Sequence, residues 1–433
     1  MKHVKHIDSS SKEDMASPER QKQIQSCTVL VVTYANFVDS LIDFLAPRAR
    51  ALVAITHIIP HYYQTGPVTT ARVYQGGSLQ QESAYGKRWA SAYRGMAACV
   101  AHSLLIVQCV YTLLDVLRRR RRFDLYIGVQ HPFPLVGLLL RRLGIVKKVI
   151  YYDLDYFPPG GGLNKRAAGS ALIRFMDRFF IGSSDAVWHQ TPALRRLKKA
   201  QVTRRGTPAI VVPIGIDAAP PPAAPSGTRT APAIAYVGEL TERMALDACI
   251  DAVDQVRQSI PDIRLRIIGR GPAEAALRNK VQSLDLMRNV EFLGFVEGQD
   301  GVRAVLEQCA AGIAPYVTAP WQPARYADPA KVKLYMAAGL PVIVTDAPAL
   351  AQEIGRAGAG IVVECTAEAF ADAYARLLAS EEVLQSYRVN MASLARKYDC
   401  ETLYQQAFDQ TLRILYRHTG GELSFGKDGD GQV

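Results

Sequence analysis

Residues 328–341 have the sequence DPAKVKLYMAAGLP, and the fold is easiest to derive outward from this stretch. Asp328 suits the position that caps a helix N-terminus, and Pro329 suits the first helical position. Gly339 is typical of a helix end, and the proline two residues later cannot continue the helix. The stretch therefore predicts a short helix with Lys331 in its first turn.

The position of Lys331 is unusual for a lysine. A cation is disfavoured at a helix N-terminus, because the helix dipole already places partial positive charge there. The same helix end has free N–H groups that attract phosphate, so a lysine is favourable there when an anion binds. Lys331 therefore predicts a phosphate site, and a solvated surface lysine is the alternative.

The chain on both sides of this helix alternates short apolar runs with helical patterns. In the first half the predicted strands are residues 27–34, 51–57, 125–129, 149–152, 186–189 and 209–212. In the second half they are residues 233–237, 264–268, 290–293, 311–315 and 341–345. This alternation predicts two doubly wound α/β domains with mostly parallel sheets. Because such sheets bind ligands beyond their carboxyl ends, we expect the site in a cleft between them.

The domain boundaries follow from composition. Residues 1–25 are polar and are predicted to be a disordered tail, not a signal peptide. Residues 26–217 form the predicted N-terminal domain, and residues 218–232, with five prolines, form a stiff linker. Residues 233–399 form the predicted C-terminal domain. The amphipathic residues 400–418 are predicted to be a helix that joins the N-terminal domain.

The two halves carry opposite net charge. The 433-residue chain has a formal charge of +11. Residues 1–225 contain 30 Lys/Arg and 14 Asp/Glu, whereas residues 226–433 contain 21 and 26. This asymmetry predicts two lobes with different partners. The seven cysteines form no C-x-x-C pair, so neither a disulfide framework nor a zinc ribbon is indicated and a reducing cytosol is expected.

Residues 97–117 are mostly apolar, which is also a feature of membrane spans. They contain His102, Gln108 and Asp115, and polar groups are costly in hydrocarbon. We therefore predict a helix packed on a sheet, with a membrane span as the alternative. Five consecutive arginines follow, and these are Arg118, Arg119, Arg120, Arg121 and Arg122.

Four further segments occur in a fixed order with the stretch at 328–341. They are VVPIGID at 211–217, YVGEL at 236–240, IIGRGP at 267–272 and NVEFLG at 289–294. Together these segments resemble the family 4 (group 1) nucleotide-sugar glycosyltransferases, which have the GT-B fold of two Rossmann-like domains facing across a cleft. The resemblance covers most of residues 205–400 and, more loosely, residues 26–200.

The resemblance implies a donor site in the second domain. The residues predicted to bind the donor, some by the resemblance and some by their place in the sequence, are Gly238, Arg243, Gly269, Gly271, Gly294, Arg325, Tyr326, Asp328, Pro329 and Lys331. A glycine after each predicted strand allows close backbone approach to a nucleotide, although a simple turn glycine is the alternative at each position. Lys331 and Arg243 would neutralise the diphosphate; Arg243 is otherwise a surface arginine.

The sequence departs from the family pattern at several donor-site positions. The family usually has two glutamates separated by seven residues, and here these positions hold Tyr326 and Leu334. Arg325 and Tyr326 are candidates to meet the donor hydroxyls instead. An arginine and a lysine of the family are likewise replaced by Glu239 and Met244.

The predicted catalytic residues of the first domain are His131, Asp153 and Asp155. His131 follows the predicted strand 125–129 and is a candidate to act at the acceptor hydroxyl or on the transferred sugar; a loop-capping histidine is the alternative. Asp153 and Asp155 follow the strand 149–152, and their i, i+2 spacing predicts that both point into the cleft. Otherwise they are turn and cap residues.

The resemblance implies a retaining glycosyltransferase with a nucleotide diphosphate sugar as co-substrate and with neither a metal nor another cofactor. Since both family glutamates are absent, a non-catalytic scaffold with the same fold is the alternative. No G-x-G-x-x-G follows the first strand, which argues against a dinucleotide oxidoreductase. No nucleic acid partner is expected, because no aromatic-interleaved basic pattern is present.

The excess positive charge predicts a location. The basic clusters of the first half suit an anionic leaflet, and a solvated basic face is the alternative. We expect a cytoplasmic protein that is peripheral at the inner face of the membrane. Its acceptor would be a lipid-linked or polysaccharide precursor, presented at that surface to the first domain.

Overall fold

The computed structural model describes residues 24–34, 38–57, 69–85, 98–154, 156, 165–201, 207–218, 232–318 and 323–416. Within these residues the chain forms two sheets, each covered by helices on both faces. Residues 1–23 of the predicted tail, most of the predicted linker and the end of the chain lie outside the described residues. Ile24, which the prediction placed in the disordered tail, is instead buried in the core of the first domain.

The first sheet has eight strands in the order β4-β3-β2-β1-β5-β6-β7-β8. The strands are β1 (Thr28–Tyr34), β2 (Ala51–His57), β3 (Thr69–Gln75), β4 (Ser78–Tyr85), β5 (Phe123–Val129), β6 (Val146–Asp153), β7 (Ala186–His189) and β8 (Ala209–Val211). The helices between them are α1 (Asp39–Leu45), α2 (Ala98–Arg119), α3 (Pro134–Arg142), α4 (Lys165–Ser183) and α5 (Pro192–Gln201). All pairings are parallel except those of the β3–β4 hairpin at one edge.

The second sheet has six parallel strands in the order β11-β10-β9-β12-β13-β14. The strands are β9 (Ala233–Val237), β10 (Arg264–Ile268), β11 (Val290–Gly294), β12 (Ala311–Ala314), β13 (Val342–Thr345) and β14 (Gly360–Val363). The helices are α6 (Leu246–Val256), α7 (Glu274–Ser283), α8 (Gly298–Leu306), α9 (Ala330–Ala337), α10 (Ala349–Ala357), α11 (Ala367–Leu377) and α12 (Glu381–Ala395). Short 3₁₀ turns lie at Pro323–Arg325 and Arg396–Tyr398.

The last helix, α13 (Cys400–Tyr416), packs against the first sheet although it follows the second in sequence. Tyr404 and Phe408 are buried there among residues of β1, β2 and α1. The indole N–H of Trp188 donates a hydrogen bond to Thr411 at 2.8 Å. The other face of the first sheet is covered by α2, α3 and α4.

The predicted fold class is confirmed: two doubly wound α/β units with mostly parallel sheets. Strands β3 and β4 were not predicted, and the composition of β4 shows the reason. Its sequence SLQQESAY is polar and its side chains are mostly exposed, so the apolar run that identifies a buried strand is absent. This edge hairpin is the one antiparallel part of the described sheets.

Residues 98–119 form a helix, as the pattern of 97–117 predicted. Its inner side packs in the core of the first domain through Val116, with Cys109 and Leu113 partly buried beside it. None of the helices among the described residues combines the length and apolar content that crossing a bilayer requires.

Candidate active site

The helix that carries Lys331 starts where the two domains meet. Helix α9 has Pro329 at its N-cap position, with φ −76° and ψ 100°, so Lys331 is its second residue. A cavity of about 200 Å³ opens at this helix end. The first domain contributes Leu154 and Gln190 to its wall, and the second contributes Tyr316 and Pro329. The first turn of α9 therefore faces the cleft between the sheets, where its free N–H groups are available to an anion.

The ammonium group of Lys331 lies in an aromatic and apolar environment. Its Nζ is 4.7 Å from the ring centroid of Tyr316, 5.3 Å from that of Tyr236 and 3.5 Å from the sulfur of Met244. Burial lowers the pKa of Lys331 to about 8, and only the charge of Glu239 opposes that change. An anionic ligand would strongly stabilise the charged form of this lysine, because the ligand supplies the negative charge that the surrounding residues provide only weakly.

Glycine is required in the turn beneath Lys331. Gly238 follows β9 with φ +143°, and a Cβ at this position would lie 3.3 Å from Nζ of Lys331. Gly269 follows β10 with φ +135°, and its Cβ would lie 1.9 Å from the carbonyl oxygen of Gly238. The expectation was that these glycines admit a nucleotide. The close contact of Gly269 is with protein backbone, so that glycine allows the two strand-end turns to pack on each other.

The other two predicted glycines lie at the same edge of the second sheet. Gly271 packs against the backbone of Leu240, and Gly294 ends β11 beside the guanidinium of Arg270. The structure thus brings all four predicted glycines and Lys331 to the carboxyl edge of one sheet. Parallel strands place their carboxyl ends together, so the sequence order was sufficient to predict this grouping.

Asp328 does not cap the helix, which corrects the sequence-based expectation. Its Oδ2 accepts a hydrogen bond from the backbone N–H of Ile214 at 2.9 Å and lies 3.3 Å from Nζ of Lys333. Its own N–H donates to Oε1 of Gln190 at 3.0 Å. Burial raises the pKa of Asp328, and the ammonium of Lys333 opposes that rise. An N–H of the first domain reaches this carboxylate, so Asp328 joins the domains instead of capping α9.

Lys333 is a buried residue of this junction that the sequence reasoning missed. Its ammonium donates to the carbonyl of Ile214 at 3.2 Å and lies 3.2 Å from the ring centroid of Tyr398. It is two residues from Lys331, so the two side chains leave α9 in different directions. The sequence contains no local signal for its burial, because its partners Ile214 and Tyr398 are distant in the chain.

Arg325 and Tyr326 lie in the segment between Ala324 and Ala327, two residues that line the cavity. Arg325 is exposed in its 3₁₀ turn, whereas the backbone carbonyl of Tyr326 accepts a 2.6 Å hydrogen bond from Thr191 of the first domain. The Tyr326 ring meets that of Tyr156 edge-on, with centroids 4.7 Å apart. Arg243 is exposed and directly precedes Met244, the residue in contact with Lys331. Both arginine side chains are therefore exposed to solvent, one in a segment next to the cavity and the other next to the residue that contacts Lys331.

In the first domain, His131 lies at the carboxyl end of β5, as predicted. It precedes a cis peptide bond to Pro132, and its side chain is almost buried. Its Nδ1 is 3.8 Å from Oδ1 of Asp177 on α4. The imidazole of His131 and the carboxylate of Asp177 therefore lie side by side at the carboxyl edge of the first sheet.

Asp153 does not point into the cleft. Its carboxylate is fully buried at the end of β6, 3.0 Å from Nδ1 of His189 and 3.5 Å from Nζ of Lys198. The expectation assumed that the i, i+2 pair would share one exposed side, but helices α4 and α5 cover this strand end. Asp153 therefore belongs to the internal support of the site, and Asp155 lies outside the described residues.

Lys198 is the centre of this buried charged cluster. It lies within hydrogen-bonding distance of Asp177, and the hydroxyl of Tyr151 donates to the same carboxylate at 2.7 Å. Burial alone would lower the pKa of Lys198, but the charges of Asp153 and Asp177 outweigh it and raise the pKa. The sequence offered no signal for this cluster, because its members come from β6, α4, β7 and α5.

Comparison with known proteins agrees with this arrangement. Residues 231–380 match the profile of the family described as "Glycosyl transferases group 1". The chain superposes on sucrose-phosphate synthase from Thermosynechococcus elongatus with a TM-score of 0.65, at 16% identity over 91% of this chain and all of that one. It superposes on HepE of Anabaena, solved with UDP and glucose, with a TM-score of 0.61, at 15% identity over 89% and 99%. These likenesses show a GT-B fold.

Curated relatives are similar over part of their length. One is a GDP-mannose-dependent phosphatidylinositol monomannoside mannosyltransferase of Corynebacterium glutamicum, 24% identical over 45% of this chain and 51% of its own. Another is a phosphatidyl-myo-inositol mannosyltransferase of Mycobacterium leprae, 26% identical over 51% and 59%. A putative colanic acid biosynthesis glycosyltransferase, WcaL of Salmonella typhimurium, is 28% identical over 41% and 43%. The matches span about half the length of these relatives.

Fold and profile together confirm the resemblance seen in the sequence. The chain has the GT-B architecture, and residues 231–380 of its second domain match the group 1 glycosyltransferase profile. The candidate active site is the cleft between the sheets. The start of helix α9 with Lys331 lies on one side of it, and the carboxyl edge of the first sheet, where His131 follows β5, lies on the other.

Proposed function

We propose that the protein is a retaining glycosyltransferase that moves a sugar from a nucleotide diphosphate sugar to a hydroxyl group. The observation that carries the proposal is the position of Lys331, in the first turn of α9 at the cleft, with aromatic rings and a glycine turn around its ammonium. A diphosphate is the ligand class that uses both the lysine and the helix N-terminus.

The chemistry follows from where charge develops. When the bond from the sugar to the diphosphate breaks, the departing phosphate oxygen takes the electron pair. The ammonium of Lys331, the N–H groups of α9 and the accessible guanidinium of Arg243 would stabilise that negative charge without a metal. Departure on the face that the acceptor attacks, which retains the anomeric configuration, is what the family resemblance implies.

The first domain would handle the acceptor. His131 is one of the titratable groups at its carboxyl edge, and its Nδ1 is 3.8 Å from a carboxylate oxygen of Asp177. We assign His131 to the acceptor hydroxyl or the transferred sugar, and Asp153, Asp177 and Lys198 to its support. Asp155 remains a candidate for the same wall.

The acceptor that we propose is a lipid-linked or polysaccharide precursor at the cytoplasmic face of the membrane. The relatives named above are phosphatidylinositol mannosyltransferases and a colanic acid glycosyltransferase. The arginines at 118–122 supply a basic surface on the first domain, and all of them except Arg119 are exposed. Anionic lipid would attract such a surface.

The test compares Lys331→Ala with Lys397→Ala, an exposed lysine of the second domain, as the matched control. Binding of UDP-, GDP- and ADP-sugars is measured by calorimetry, and transfer to lipid-linked acceptors by mass spectrometry. We expect the wild type and Lys397→Ala to bind one donor and transfer its sugar. Lys331→Ala should retain its circular dichroism spectrum and lose transfer. Unchanged turnover in Lys331→Ala would refute the assigned role.

A non-catalytic scaffold with this fold is the second candidate, and the residue at position 334 favours it. Leu334 occupies the position of a family glutamate and lines a second cavity, of about 340 Å³, between the domains. An apolar side chain there cannot accept hydrogen bonds from donor hydroxyls. Absence of binding by the wild type to every donor in the calorimetric panel would select the scaffold.

A further inference from the structure

The outer side of the first domain has a concentration of exposed apolar residues. Eleven of the sixteen large apolar side chains that are exposed among the described residues lie on α2, α3 and α4 or directly after α3. We call this set the apolar face. Its most exposed members are Ile106, Val107, Leu143, Leu172 and Phe175, at 57% to 67%. A contiguous patch of this kind on a folded domain marks an interaction surface.

The three helices form one continuous surface. Helix α3 packs against both α2 and α4, and the inner residues Val116, Val136 and Phe180 belong to a single core cluster. On α2 the exposed residues recur at helical spacing from Ile106 to Leu117, while Gln108, Thr112 and Val116 on the opposite side are buried. Each helix thus has two apolar sides, one in the core and one outside, although core packing requires only one.

The charges around the apolar face are almost entirely positive. The three helices contain two acidic residues. Asp115 is paired with Arg119 at 2.6 Å, and Asp177 is buried against Lys198. In contrast, Arg118, Arg142 and Arg178 are exposed, as are the arginines at 120–122. The face therefore combines apolar side chains with a cationic rim, and this combination fits an anionic bilayer surface.

We propose that the apolar face inserts into the headgroup region of an anionic membrane, with the axes of α2, α3 and α4 lying along the membrane plane. A second copy of the chain is a poorer occupant, because a symmetric contact between two such faces would bring the same arginines together. The proposal deepens the proposed function, since it names the surface through which the enzyme would reach a lipid-linked acceptor.

The orientation follows from the topology. Helices α2 and α3 end at the amino edge of the first sheet, where β5 and β6 begin, and α4 begins at its carboxyl edge. The apolar face therefore extends from the arginine-rich end of the domain towards the cleft that contains His131. A membrane against this face lies beside the cleft and leaves its opening free, so a headgroup can enter from the bilayer surface.

The test uses vesicle flotation of the full chain with two matched double variants. Leu114→Gln/Phe175→Gln changes the apolar face, and Met287→Gln/Val389→Gln changes two similarly exposed apolar residues of the second domain. Vesicles of phosphatidylcholine are compared with and without phosphatidylglycerol. We expect the wild type and the control to float with the anionic vesicles, and the apolar-face variant to show a partition coefficient at least about tenfold lower.

Three outcomes would overturn the proposal. The first is that the wild type does not float, and the second is that the two double variants float equally. The third is that the wild type is a dimer in gel filtration, whereas the apolar-face variant is a monomer that still floats. Donor binding without vesicles is measured on the same proteins and separates the two proposals. Flotation without donor binding would refute the proposed sugar transfer and support the membrane-binding surface. Donor binding without flotation would refute the membrane-binding surface and support the proposed transfer.

Discussion

Two lysines near the cleft, Lys198 and Lys331, show how differently the two domains treat a buried cation. Lys198 lies between the carboxylates of Asp153 and Asp177, and they raise its pKa. Lys331 lies between two tyrosine rings and a methionine, and burial lowers its pKa to about 8. The first lysine is compensated within the protein, whereas the second gains most when a ligand brings negative charge. Compensation of this kind distinguishes a supporting residue from a binding residue.

The largest expected effect comes from removing the compensated lysine. Lys198→Met leaves two carboxylates buried together, and breaking a buried ionic group costs about 3–5 kcal/mol. We expect urea unfolding of the first domain to show a loss of this size. Adding Asp177→Asn to Lys198→Met should recover part of the loss, because one uncompensated charge disappears. If Lys198→Met is as stable as the wild type, the ionic cluster does not support the fold.

Replacing Lys331, the lysine without a carboxylate partner among the described residues, should change the free energy of unfolding in the opposite direction. Lys331→Met replaces a partly buried ammonium with an apolar side chain of similar length, so we expect the free energy of unfolding at pH 7 to rise by roughly 1–3 kcal/mol. The ordinary lysine pKa of 10.5 lies above the folded value of about 8. The folded-state penalty is therefore complete below pH 8 and is relieved as the pH rises from 8 towards 10.5.

The gain from Lys331→Met should accordingly shrink over that pH interval, which chemical unfolding at pH 7 and pH 9.5 measures. A destabilised Lys331→Met variant would show that the ammonium already has a compensating partner. Its donor affinity, measured in parallel, should fall whatever the sign of the stability change.

The junction between the domains should give an intermediate effect. Asp328→Asn keeps an acceptor for the N–H of Ile214 but removes the charge that faces Lys333. We expect about 2 kcal/mol of lost stability, as for a charge-assisted hydrogen bond. The control is Asp251→Asn, which removes the carboxylate that pairs with Lys280 near the surface. This substitution should change the free energy of unfolding by less than about 1 kcal/mol. Equal effects of the two substitutions on stability would show that Asp328 does not stabilise the junction between the domains.

The smallest expected effect is the pH dependence of donor binding. A diphosphate favours the charged form of Lys331, so donor affinity should fall as the pH rises through about 8, by up to about tenfold per pH unit. Calorimetry between pH 7 and pH 9.5 measures this. Lys331→Arg keeps its charge over that range and should show no such decline. The same decline in both proteins would assign the titration to another group.

The sequence predicted the grouping of the second-domain residues better than the surroundings of the first-domain residues, because the second-domain signals are local. Lys331 and the four glycines belong to strand–turn–helix units whose parts are neighbours in sequence, so their spacing predicted their grouping. Asp153 was recognised at a strand end, but its partners His189 and Lys198 lie on other elements, and its burial was not predicted. The prediction that Asp328 caps the helix was wrong for a related reason. The capping signal is local, but the carboxylate accepts its hydrogen bond from the N–H of Ile214, which is distant in the chain.

The sequence by itself determined the alternation of strands and helices, the family resemblance and the position of Lys331 at a helix start, because periodicity and helix ends depend on residues a few positions apart. Only the tertiary structure decided which charges are compensated. It enclosed Lys198 between two carboxylates and left Lys331 at the cleft. It also put the second apolar side of α2, α3 and α4 on the surface. Compensation and exposure depend on which elements pack together, and no local spacing contains that information.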